Sequence, residues 1–126
     1  MFVSRLAVIA ALSFAFSVPT AAQAPAPAQV IAVWSFGFAP APIRLAAGRP
    51  VTLTFQNRSG SSHDFTAHGF FDHAKIISGD AREGEVELKP HETKTVTLVP
   101  GAGTFHAHCS HFMHEMLGMS AQIIVS

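Results

Sequence analysis

The sequence predicts an all-β fold, an antiparallel β-sandwich in a single domain, and three observations carry that expectation. Apolar residues recur at a period of two in a series of short runs. Turn-forming clusters rich in Gly, Pro and Ser separate those runs. No stretch sustains the periodicity of an amphipathic helix. The chain is 126 residues long and 48% hydrophobic, which suits one domain with its own core.

The elements follow in chain order. Residues 1–22 place Arg5 ahead of an uncharged run of 13 residues from Leu6 to Val18, then Pro19 and small residues. That is the layout of a secretory signal peptide, and the run is too short to span a bilayer. Cleavage is expected after Ala22 in preference to Ala24, because Pro25 would follow the later cut. Residues 23–29 are a Pro/Ala-rich leader, and 30–126 form the domain. Val30, Ala32 and Trp34 open the strand pattern, and Val51, Leu53 and Phe55 continue it within 50–57. Val86 with Leu88, and Val96 with Leu98, repeat it. Phe105, Ala107 and Cys109 form a set expected to face inward. Residues 121–125 make a last, β-branched strand. Turns are expected at 47–48, 58–62, 78–84, 89–90 and 100–103. Residues 70–77 are the only candidate for a short helix.

Charge and cysteine content narrow the function. Eight Lys+Arg balance eight Asp+Glu and are scattered, which argues against a nucleic-acid-binding face. Loss of residues 1–22 removes Arg5 and leaves a net charge of −1 on a chain expected in a bacterial periplasm, with no membrane span. The single Cys excludes an intramolecular disulfide. All eight His lie after residue 62, and four of them crowd around Cys109.

Within residues 103–119, Cys109, His114 and Met119 recur at intervals of five. Cys109 ends an expected strand, four residues suffice to bring His114 back beside it, and Gly118 can turn Met119 toward the same point. Thiolate, imidazole and thioether are ligands suited to copper, and two His, one Cys and an axial Met describe an electron-transfer copper site. A second His is required from another strand, and His63 is the best candidate because it follows a turn and opens an apolar stretch. A zinc-protease reading of His111 to Glu115 fails, since the spacing is neither His-Glu-x-x-His nor its inversion. Asn57-Arg58-Ser59 matches a glycosylation sequon and is read as coincidental.

Over roughly residues 30–125 the chain resembles a cupredoxin, a small blue-copper protein. Carried across residue by residue, His63, Cys109, His114 and Met119 match the copper ligands of that family. The resemblance implies a Greek-key β-sandwich that carries single electrons and holds one copper ion. It also implies a redox partner docking at an apolar patch near His114. The near-zero charge agrees with apolar docking in place of electrostatic steering.

A second resemblance lies in the same residues. His108-Cys109, His114 and Gly118-Met119 are similar to the last copper motif of multicopper oxidases, and the segment from His63 to Gly69 to their preceding one. Thr66 and Ser110 stand where the oxygen-reducing cluster of those enzymes needs His, so no oxidase or nitrite reductase activity is expected. His68, His106, His108 and His111 are surplus to the primary site, and with Met113 and Met116 they suggest an auxiliary copper site. That site would suit the alternative function, a copper-tolerance protein that sequesters or oxidises Cu(I). His73 and His91 have no partner pattern and are expected at the surface.

Overall fold

An apolar run such as residues 30–34 has no polar side to orient it, so packing decides which residues turn inward. In the computed structural model, which describes residues 11–19, 25–111 and 118–126, this run lies in β1 (Ala28–Trp34). Ile31 and Val33 are fully buried, whereas Val30 and Trp34 are exposed. The inward pair is therefore out of phase with the Val30, Ala32, Trp34 set seen in the sequence.

Ten strands among the described residues form two five-stranded sheets. The first runs β2 (Gly37–Ala39), β1, β4 (Val51–Asn57), β8 (Thr93–Val99), β6 (Lys75–Ser78). The second runs β3 (Ile43–Leu45), β10 (Ser120–Val125), β9 (Gly103–His108), β5 (His63–Thr66), β7 (Glu85–Leu88). The ladders are antiparallel except for β1 beside β4 and β3 beside β10, which are parallel. This is the expected all-β sandwich, with two parallel pairs that only long-range connections can make.

Between the sheets, alternate residues interdigitate. Phe65 links them, its ring 4.8 Å from Phe55 and 5.3 Å from Phe38. Leu53, Leu88, Leu98 and Ile123 fill the space around these rings. β2 and β3 were hidden in the sequence by Pro40 and Pro42, and each is only three residues long.

The expected helix at 70–77 is a shorter one, α1 (His68–Asp72), followed by the edge strand β6. The β-branched Ile76 and Ile77 follow their own preference once β8 offers a ladder, pairing Ile76 with Leu98. α1 buries Phe70 and Phe71, and one turn of 3-10 helix (Arg82–Gly84) closes against it. Gly84 has φ of +71°, and a Cβ there would lie 2.5 Å from His68 Nδ1, so only glycine fits. No helix among the described residues is long and apolar enough to cross a membrane.

Candidate metal centre

The register of the second sheet brings the separated ligand candidates together. β5 and β9 are antiparallel with Thr66 opposite His108, so the chain after His108 runs back alongside Phe65, Asp64 and His63. β10 pairs Ser120 with His108 on the other side, and the Cys109 N–H donates to the Met119 carbonyl at 3.1 Å. The loop between Cys109 and Met119 is thus closed at its base. Gly118, at φ +85°, makes the turn into β10, and the Ser120 N–H donates back to its carbonyl at 2.9 Å.

His63, Cys109 and Met119 are all 0% exposed. The inward alternation expected for β9 holds: Ala107 and Cys109 are buried and Phe105 packs against the core. His63 Nδ1 lies 4.0 Å from Cys109 Sγ. A first-row metal bonded to sulfur at about 2.3 Å and to nitrogen at about 2.0 Å, at a trigonal angle, holds those atoms roughly 3.7 Å apart. The donor pair therefore fits a single metal ion. His114 lies outside the described residues, within a loop whose base these contacts define.

Asp64 joins the two ligand-bearing segments, a role the sequence reading missed. Its side chain is 0% exposed. The carboxylate accepts from Thr66 Oγ1 at 2.7 Å, from the Ser110 N–H at 2.8 Å and from the Ser110 hydroxyl. Its own backbone N–H donates to Cys109 Sγ at 3.5 Å. Thr66 and Ser110, the positions without the His of an oxygen-reducing cluster, thus serve one buried carboxylate. The signal in the sequence was the alternation within residues 63–66. His63 and Phe65 take the inner face, which leaves Asp64 and Thr66 together on the outer one. Burial pushes the Cys109 thiol above its ordinary range, and backbone N–H groups of Asp64 and His111 oppose that shift.

The remaining histidines divide. His106 and His108 leave the outer face of β9 with their rings stacked, centroids 5.6 Å apart. His111 lies beside His63, centroids 6.4 Å apart, with Nε2 3.0 Å from Glu87 Oε1 and 3.5 Å from Asp64 Oδ2. His68 is exposed at the start of α1. Two clusters of closely spaced ligand-type atoms occur among the described residues, Asp64–Cys109–His111 and Asp64–Glu85–Glu87, and neither contains His68, His106 or His108. His73 and His91 are exposed, and Asn57 of the sequon is buried with its amide bonded to the carbonyls of Ser61 and Lys89.

A family model described as the cupredoxin-like domain matches residues 6–125. The chain belongs to this family. Membership implies a copper-binding site, and the cupredoxin sandwich described above is the fold it implies. Among solved structures, this cupredoxin is similar to auracyanin B (TM-score 0.60, 20% identity, 83% of this chain and 92% of that one). It is also similar to the auracyanin of the photosynthetic bacterium Roseiflexus castenholzii (TM-score 0.61, 18% identity, 82% and 99%). A multi-copper oxidase from Pseudomonas thermotolerans matches with TM-score 0.63 and 22% identity over 80% of this chain, which spans only 30% of that enzyme. A search of curated proteins gives no match.

Proposed function

We propose that this cupredoxin is an exported, periplasmic type 1 copper protein that carries single electrons, with His63, Cys109, His114 and Met119 as ligands. The observation that carries the reading is the 4.0 Å approach of His63 Nδ1 to Cys109 Sγ in a fully buried site whose loop closes at Met119. Bound there, copper supplies one-electron chemistry by alternating between Cu(II) and Cu(I). The protein's part is to hold geometry and exclude water. Cys109 gives up its proton and offers a thiolate, His63 is fixed on a strand, and Asp64 ties that strand to the segment after Cys109. Rigid strands limit how far the ligands move between oxidation states.

The redox partner docks at the ligand end, near His114. The turn between β1 and β2 supports this reading, because it exposes Trp34 (39%) and Phe36 (65%). The Arg58 N–H, at the start of the loop to His63, donates to the Val33 carbonyl at 2.8 Å and holds that turn at the same end. Export to the periplasm rests on the signal-peptide layout of residues 1–22. The protein is not an oxidase or nitrite reductase in this reading, since Thr66 and Ser110 are committed to Asp64.

The test is an optical and spin-resonance spectrum of the copper-loaded protein. An intense visible thiolate–copper band is expected, and its loss in Cys109→Ser. A wild type without that band overturns the reading. A second reading, copper tolerance through an auxiliary site, is favoured by the stacked His106 and His108 on the outer face. More than one tight copper per chain, with copper sensitivity in a deletion strain, would support it. A single copper and an unaffected strain leave electron transfer.

A further inference from the structure

The outer face of the second sheet places a second set of donors behind the primary site. β5 pairs with β7 so that Asp64 faces Glu87 and Thr66 faces Glu85. Ligand-type oxygens of Asp64, Glu85 and Glu87 lie within 4.8 Å of one another, and so do the donor atoms of Asp64, Cys109 and His111. Glu87 is exposed, Glu85 half-buried and Asp64 buried. Donors thus run inward from a cleft of about 340 Å³, lined by Asp80, Arg82, Glu83, Glu85, Glu87 and Lys94, to the thiol.

Among the described residues, no Lys or Arg forms an ion pair with these three carboxylates. Arg82 is held by Asp80 at 2.8 Å, and Lys94 by Glu92 at 3.6 Å. Among the described residues, the base in contact is the His111 imidazole, which touches both Glu87 and Asp64. Crowded carboxylates with an imidazole and no neutralising side chain are a donor set for a divalent cation, and nitrogen and oxygen donors suit Cu(II) better than Cu(I).

We propose that Glu85, Glu87 and His111, with Asp64 beneath them, form an outer Cu(II) site through which metal reaches Cys109. Its destination rests on the copper reading above, but binding at the outer site needs no thiolate. Transfer is ligand exchange without a change of oxidation state. Bonds from Cu(II) to carboxylate and imidazole break, a copper–sulfur bond forms, and the thiol proton passes to the freed His111 imidazole, whose ligand nitrogen lies within 4.8 Å of the thiol sulfur.

Two measurements test this on the full chain. The first removes two of the primary donors with Cys109→Ala and His63→Ala, confirms folding by circular dichroism, and titrates copper sulfate under spin resonance. A nitrogen- and oxygen-coordinated Cu(II) signal is expected, with affinity at least about tenfold weaker when Glu85→Gln and Glu87→Gln are added. No signal in the folded parent overturns the proposal. So does unchanged affinity in the carboxamide variant, which would assign the metal to His106 and His108. The second measurement needs no cavity-forming change: the visible band is followed after mixing metal-free protein with limiting copper sulfate. Glu85→Gln with Glu87→Gln should slow its appearance at least about tenfold relative to wild type. Equal rates overturn the proposal. A band absent from wild type defeats the primary-site reading instead and leaves the outer site to the titration.

Discussion

Asp64 carries more of the site than any residue except the ligands. Removing its carboxylate leaves the buried Thr66 hydroxyl and the part-buried hydroxyl and N–H of Ser110 without their acceptor. Asp64→Ala should therefore cost the metal-free protein about 2–4 kcal/mol, read from urea denaturation. A loss below about 1 kcal/mol, the worth of one ordinary hydrogen bond, would contradict that role. Glu85 makes a different prediction. Burial first, then the neighbouring charge of Asp64 and contact with Glu87, raise its carboxyl above the ordinary 4.5. A raised folded value means the folded state holds the proton more tightly, so stability is lost as pH rises through it. In metal-free protein Glu85→Gln should raise the melting temperature at neutral pH, and the gain should disappear below about pH 4.5. A gain that persists in acid would point to packing, not charge. Cys109, Met119 and His63 were legible in the sequence as candidate donors because few residue types bind copper. Asp64 was not, because an acidic residue on a strand reads as solvent-facing until its neighbours are known.

Each element owes its place to packing that its own residues only partly specify. β5 was readable from the apolar stretch that His63 opens, and its central Phe65 meets Phe38, Phe55 and Phe71 across the core. Phe65→Ala should cost about 3–5 kcal/mol in chemical denaturation and also disturb the adjacent His63. A cost near zero would mean the two sheets do not depend on that ring. β9 was equally legible, since Phe105, Ala107 and Cys109 alternate with His106 and His108. β1 shows the opposite case, because apolar residues occupy both faces of residues 30–34 and period alone could not choose between them. β6 was lost to a helical reading because its partner, β8, is distant in sequence, and an edge strand gains its ladder only when that partner arrives.

For the molecule as a whole, the proposed site couples copper binding to folding. The proposed site joins β5 to the segment that links β9 and β10, so its candidate ligands converge only in the folded chain. Metal present at about a thousand times its dissociation constant adds about 4 kcal/mol of stability. For a chain of this size the melting temperature should rise by at least about 10 °C on loading. A chelator able to strip the site should reverse the shift. An unchanged melting temperature in scanning calorimetry would mean the metal does not bind the native fold preferentially.

The sequence by itself determined the fold class, the family resemblance and the candidate donor types, because alternation, turn chemistry and the soft ligand-type residues around Cys109 are local properties. It also marked Thr66 and Ser110 as departures from the oxidase pattern. The tertiary structure decided what those residues do, turning two missing histidines into two donors for Asp64. It alone decided the phase of β1, the strand at 75–78, the meeting of His111 with Glu87 and Asp64, and the grouping of Asp64 with Glu85 and Glu87. Those outcomes depend on register between segments far apart in the chain, and a one-residue shift in register exchanges inside for outside.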